Sequence, residues 1–283
     1  MDHVAFIINP FSAKKNYHQF LKNLQDLHPE AVYYVSDSIA GTENFVKDHF
    51  KTTDIFIAVG GDGTISSVAK QLINTGKILG IYPAGSGNGF SKENDFDKDL
   101  PQLLSKIKVK KHREIDTFTV NEHLSINVSG AGFDGAVVRE FEKTSRGFRN
   151  YIKTSFLTFF RFKSVDINFK SPELKSFNGE YLMMNIANTR QFGNNAYIAP
   201  HASAVDGLAE IVLVKKFPFF YGPVFAFQLF AKTLKENKYV KFLSLPEVEF
   251  STSSCDWHID GDYAVIDQDV QIKVLPRSLK ILI

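Results

Sequence analysis

Two glycine-rich pentads carry the residues best suited to chemistry here: Gly60-Gly61-Asp62-Gly63-Thr64 and Gly85-Ser86-Gly87-Asn88-Gly89. Glycine has no Cβ, so such loops can bring bare main-chain N–H groups up to an anion, which is how a protein cradles phosphate. The first pentad also holds a carboxylate, Asp62, among those amides. An Asp that only caps a helix does not need three glycines around it. Amides for phosphate with a carboxylate beside them point to phosphoryl transfer rather than simple anion binding.

The elements around the pentads must position them. Asp54–Val59 precedes the first and Ile78–Tyr82 the second, and both are apolar, strand-like runs. Strands are expected at Val4–Asn9, Ala31–Val35, Ile55–Val59 and Ile78–Tyr82, with helices over Tyr17–Leu27 and Thr42–Phe50. After the first pentad, Ile65, Val68, Ala69, Leu72 and Ile73 fall on one helical face, and Gly76 ends the pattern. Alternating β and α units imply a parallel sheet covered by helices. Ligands of such sheets bind beyond the carboxyl ends of the strands, where Asn9, Ser36, the Asp62 loop and the Ser86–Asn88 loop would converge.

Past about Thr117 the rhythm becomes β-rich, with short runs at Ser125–Ser129, Val165–Phe169, Glu180–Ala187, Leu208–Val214, Val248–Phe250, Val270–Val274 and Leu279–Ile283. Helical stretches interrupt them near Gly135–Phe141, Phe148–Phe162 and Tyr221–Leu234. The expected architecture is an α/β nucleotide-binding domain with a parallel sheet over 1–117, then a mainly antiparallel β-sandwich domain over 118–283.

Composition narrows the function. The chain has 283 residues, 44% hydrophobic and 23% charged, with a net charge of +2. A balance so near zero argues against a dedicated nucleic-acid binder. The single cysteine, Cys255, excludes an internal disulfide framework and a cysteine-based zinc site, and fits the cytoplasm. No targeting segment is expected from the opening residues. The longest apolar stretch, Phe217–Ala231, is broken by two prolines and a glycine and is too short to span a bilayer.

Taken in order, Asn9-Pro10, Gly60–Thr64 and Pro83-Ala84-Gly85-Ser86-Gly87-Asn88 resemble the signature of the diacylglycerol kinase and sphingosine kinase catalytic domain. Asn127–Asp134 is similar to the family's glycine-rich strand, Ala199-Pro200 with Asp206-Gly207-Leu208 to its proline and Asp-Gly-Leu element, and Ile259–Asp262 to its Asp-Gly-Glu motif. The match spans nearly the whole chain. It implies an ATP- and Mg2+-dependent kinase that phosphorylates a lipid hydroxyl.

The resemblance also assigns roles. Gly61, Gly63 and Thr64 would hold ATP phosphates through their amides, and Asn9, Ser36, Ser86, Gly87 and Asn88 would bind nucleotide. Asp62 would act as general base toward the lipid hydroxyl, or hold magnesium through water. Asp134, Asp206 and Asp262 correspond to the carboxylates of a magnesium–water network, and Asp262, which stands where the family has Glu, is also a candidate catalytic group. Arg146 and Arg149 match arginines that face phosphates.

Tyr151–Phe162 and Phe217–Phe230 are aromatic with cationic flanks. Such helices most often pack onto a sheet, and otherwise line a lipid cleft or lie at a membrane surface. Lipid phosphorylation implies peripheral contact with the inner face of the membrane. A homodimer is left open. Two rival readings share the fold: a kinase of a soluble acceptor, such as NAD kinase-like enzymes, and a non-catalytic lipid- or nucleotide-binding member. The glycine spacing matches neither a dinucleotide fingerprint nor a P-loop.

Overall fold

A computed structural model describes residues 3–12, 17–85, 87–145 and 147–283. The chain forms two units, Met1–Asp116 with Arg277–Ile283, and Thr117–Pro276.

The first unit contains β1 (Val4–Ile8), α1 (Tyr17–Leu27), β2 (Val32–Val35), α2 (Ile39–His49), β3 (Ile55–Gly60), α3 (Asp62–Leu72), β4 (Ile78–Pro83), α4 (Gly89–Glu93), α5 (Leu100–Val109) and the start of β5 (His112–Val120). Its strands run in the order β2-β1-β3-β4, all parallel. Every residue of β1 and β3 is buried, as the Val, Ile, Phe and Ala runs of a parallel sheet covered on both faces require.

Register places the functional loops together. Ile8 lies opposite both Val35 and Val59, and Val59 lies opposite Tyr82. The chain therefore leaves β1, β2, β3 and β4 at one carboxyl edge, through Asn9, Ser36, Gly61 and Ala84. Helix α3 is anchored by buried Ile65, Val68, Ala69 and Leu72 and ends at Leu72, short of Gly76, because Ile73 is extended at ψ 133°. Helix α5 is capped by Asp99, whose side chain accepts the Gln102 N–H, and buries Leu100, Leu103, Leu104 and Ile107.

The second unit continues with β6 (His123–Ser125), β7 (Val128–Gly132), α6 (Phe133–Glu142), α7 (Phe148–Arg161), β8 (Val165–Phe169), β9 (Gly179–Tyr181), β10 (Met183–Ala187), β11 (Gln191–Gly193), β12 (Ala196–Tyr197), β13 (Ala209–Val214), α8 (Gly222–Phe230), β14 (Val240–Leu245), β15 (Glu247–Thr252), β16 (Asp256–Ile259), β17 (Asp262–Val265) and β18 (Asp269–Leu282). Six strands form an antiparallel sheet in the order β14-β13-β10-β7-β16-β17. Opposite it, the first half of β18 pairs with β15, β15 with β8 and β8 with β9, again antiparallel.

The two layers enclose one core. Met184, Ile186, Ile211, Leu213, Trp257 and Ile259 from the six-stranded sheet meet Val165, Ile167, Phe169, Val248, Phe250, Val270 and Ile272 from the other. This is the expected sandwich. Alternate residues of β10 and β13 in that sheet, Met183, Ala187, Val212 and Val214, are buried on the outer face against Phe217, Phe225 and Leu234. The domain boundary differs from expectation at the C-terminus. Residues 277–283 join the first unit, because Lys280 and Ile281 pair in parallel with Ile78 and Leu79 of β4.

Candidate active site

In the first unit the two glycine loops touch backbone to backbone. A Cβ built on Gly61 would stand 3.1 Å from the Gly85 Cα, and one built on Gly85 would overlap the Gly61 Cα and crowd Asn88 Oδ1 at 2.7 Å. The carbonyl of Gly60 accepts the N–H groups of Ala84 at 2.7 Å and Gly85 at 3.2 Å, which locks this approach. A side chain at Gly85 would collide with the Gly61 backbone, and one at Gly61 would press on Gly85.

Asp62 is the first residue of α3, yet its carboxylate reaches across to the second loop. It accepts the Gly89 and Phe90 N–H groups, each at 3.2 Å, and so caps α4 from a distant part of the chain. Asn88 adopts φ 50° and donates from Nδ2 to the Gly85 carbonyl at 2.8 Å. Its Oδ1 is buried without a hydrogen-bond partner among the described residues.

Asn9 donates to Thr64 Oγ1 at 2.8 Å and accepts the Phe11 N–H at 2.9 Å, so two expected nucleotide-binding residues are joined directly. Gly63 and Thr64 follow Asp62 in the first turn of α3, where N–H groups have no partner within the helix and an anion is favoured. Ser36 leaves β2 at the same edge, but its hydroxyl is turned to Thr42 Oγ1 at 2.8 Å and the Ser38 carbonyl at 3.2 Å. Gly87 lies in the second loop. Ser86 lies outside the described residues.

In the second unit, Asp134 opens α6 and is buried. Its Oδ1 accepts the Gly135 N–H at 2.9 Å, while Oδ2 accepts from Asn185 Nδ2 and stands 3.1 Å from His258 Nε2. The Gly261 N–H points at His258 Nδ1 at 3.3 Å, so Nδ1 is the acceptor and Nε2–H donates to Asp134. His258 thereby links the start of α6 to the β16–β17 turn. That turn is a two-residue hairpin, with Asp260 at φ 53° and Gly261 at φ 94°, the primed geometry an Asp-Gly pair favours.

Asp260, which lies in the Asp-Gly-Glu-like motif but to which the resemblance assigns no role, is the buried carboxylate of that hairpin. It accepts the Ser125 hydroxyl at 2.6 Å and the Asn127 and Ile126 N–H groups at 2.9 and 3.2 Å. These bonds hold the break between β6 and β7, where an unbroken strand over Ser125–Ser129 was expected. The sequence signal was present: Asp-Gly between two strand-like runs marks a hairpin.

The three carboxylates expected to surround magnesium lie in three environments. Asp134 is buried with both oxygens bonded to protein donors. Asp206 is exposed, and its Oδ1 accepts the Leu208 N–H at 3.0 Å in a turn. Asp262 is exposed at the start of β17. Among the described residues, no three Asp, Glu, His or Cys side chains are grouped to hold a metal ion. These positions do not fit a preformed metal centre of their own. Arg149 is exposed in the first turn of α7, and Arg146 lies outside the described residues.

Residues 3–120 match the family profile of the "Diacylglycerol kinase catalytic domain". Over that segment the chain is similar to the diacylglycerol kinase catalytic domain. A "Probable lipid kinase YegS-like" protein of Yersinia enterocolitica is 25% identical over 298 aligned positions, covering 99% of this chain and 96% of that protein. A protein of the same name from Alcanivorax borkumensis is 27% identical over 171 residues, 58% of this chain and 55% of the relative, so the chain matches about half the length of that relative. A solved Bacillus anthracis structure described as a diacylglycerol kinase superposes with a TM-score of 0.74 at 16% identity, over 99% of this chain and 97% of that one. At that identity the likeness shows the fold.

Proposed function

We propose that the chain is an ATP-dependent lipid kinase that transfers the γ-phosphate of ATP to a free lipid hydroxyl, with diacylglycerol or a sphingoid base as acceptor. The observation that carries the reading is the Gly61–Gly85 contact with Asp62 tied across it, inside the segment that matches the kinase family. Both glycine loops present backbone where phosphate oxygens would lie, and α3 adds the positive end of its dipole.

The chemistry asked of the protein is positioning and charge stabilisation. The amides of Gly61, Gly63 and Thr64 hold the phosphates, and Asn9, through Thr64, fixes the first turn of α3. Asn88 Oδ1, a buried acceptor, is available to a donor on the nucleotide. Asp62 takes the proton of the lipid hydroxyl. As the hydroxyl oxygen bonds to the γ-phosphorus, the bond to the β,γ-bridging oxygen breaks and ADP leaves with that electron pair. ATP brings Mg2+ on its phosphates, and no step requires a metal centre built from Asp134, Asp206 and Asp262.

The test offers purified protein γ-labelled ATP and magnesium with diacylglycerol, monoacylglycerol, sphingosine, ceramide or undecaprenol in mixed micelles. The reading expects label in one of these lipids. Label only in NAD or a sugar would move the protein to the soluble-acceptor kinases. Nucleotide binding with no transfer to any acceptor would mark a non-catalytic member.

A further inference from the structure

The outer face of the second unit carries an aromatic surface that the fold leaves bare. Helix α7 and the segment Phe217–Phe230 share one cluster of rings. Phe219 lies 5.5 Å from Phe156 and 4.9 Å from Phe160, and those two are 5.2 Å apart, centroid to centroid. The inner layer is anchored: Phe217 is buried and packs on Phe159 and Phe225 at 5.5 and 5.3 Å. The outer layer is not. Phe220 is 80% exposed, Phe227 69%, Phe160 58% and Phe156 52%, with Ile152, Leu157, Val224 and Phe230 exposed beside them in the same two segments.

Helix α8 sharpens the point. Its nine residues contain no charge, yet only Phe225 is buried. A helix apolar all round belongs in a core or in lipid, and exposed apolar patches of this kind mark interaction sites.

Charge identifies the occupant. Residues 143–163 contain six Lys and Arg and no Asp or Glu, and residues 211–235 contain four and none, in a chain whose total charge is only +2. Lys153, Arg161, Lys163, Lys215, Lys216 and Lys232 are exposed within these two stretches. Aromatic side chains flanked by cations, with acids excluded, suit the headgroup boundary of an anionic bilayer. Rings enter the acyl edge there, while Lys and Arg stems run out to the phosphates. A protein partner of ordinary surface composition would not demand the loss of every acid. No helix among the described residues is long and apolar enough to cross a membrane.

We infer that α7 and Phe217–Phe230 form a docking surface for anionic lipid bilayers. The inference deepens the lipid kinase reading by naming the surface through which the enzyme reaches its substrate, and rests on that reading for its purpose.

The test is vesicle co-sedimentation of the full chain, without ATP or acceptor lipid, on phosphatidylcholine vesicles with and without phosphatidylglycerol. The unaltered protein should sediment with the anionic vesicles, and lose most of that binding on neutral vesicles or at high salt. A Phe220→Ser/Phe227→Ser variant should bind anionic vesicles about tenfold more weakly. Lys153→Glu/Lys163→Glu should also weaken binding, by a larger factor at low salt than at high salt, with unchanged thermal melts confirming the fold of both variants. Unchanged sedimentation of the Phe220→Ser/Phe227→Ser variant would overturn the proposal. So would absence of vesicle binding in the unaltered protein, including the case where a concentration-dependent dimer covers the patch instead. Phosphorylation of a water-dispersed short-chain diacylglycerol is measured in parallel. Transfer without vesicle binding sinks the docking surface alone, and vesicle binding without transfer to any lipid sinks the kinase reading alone.

Discussion

The Asp62 carboxylate accepts the Phe90 N–H at 3.2 Å, from 28 residues away along the chain. One side chain of the first glycine loop thus fixes the helix that follows the second, and the two loops behave as one device. Asp62→Ala removes the tie and leaves the Gly89 and Phe90 amides without it, so ATP affinity should fall about tenfold. Asp62→Asn keeps a carbonyl acceptor and should retain most of that affinity. Calorimetric titration with a non-hydrolysable ATP analogue separates the two variants.

Gly85→Ala places a methyl group on the Gly61 Cα. The backbones must part, at a cost of about 1–3 kcal/mol, and ATP affinity should drop with the melting temperature. Gly222→Ala, at a helix position with open space and ordinary backbone, is the matched control and should change neither. Equal behaviour of the two variants would contradict the loop contact.

Asp260 and Asp206 should rank opposite to their prominence in the motif reading. Asp260→Asn removes a buried carboxylate that accepts one hydroxyl and two amides, and should destabilise by about 1–3 kcal/mol in denaturant unfolding. Asp206→Asn, at an exposed turn, should stay within about 0.5 kcal/mol.

His258→Ala takes one donor from buried Asp134 and one acceptor from the Gly261 N–H. A loss of about 2–3 kcal/mol is expected. A double-mutant cycle with Asp134→Asn should return a coupling of about 1 kcal/mol or more, since the two groups share a hydrogen bond. Additive losses would show that the bond contributes little.

Legibility in the sequence followed locality. Helix α1 and strand β8 match their expected limits, because the apolar spacing and flanking residues that define them are local. The parallel sheet and the gathering of Asn9, the Asp62 loop and the second glycine loop at one edge were readable from strand order and the glycine turns. What escaped depends on contacts across the chain. The return of Lys280 and Ile281 to β4 leaves no local mark, because a strand reads alike in either domain. The surroundings of Asp134, buried among protein donors, were equally hidden, since a motif shows that a carboxylate exists but not what donors surround it. Tyr151–Phe162 and Phe217–Phe230 read as core by hydrophobicity. Their split into a buried and an exposed layer appears only once the outer face of the six-stranded sheet is filled by Phe217, Phe225 and the partly buried Phe159.

If Asp62 serves phosphoryl transfer to a lipid, the unaltered protein and Asp62→Asn should differ in the rate at which they move label from γ-labelled ATP into the organic phase. With magnesium and the preferred lipid, the unaltered protein should label the lipid. The Asn variant, with melting temperature and ATP affinity close to normal, should be slower by about 10²-fold or more. Undiminished labelling by a normally folded Asp62→Asn protein would contradict the account.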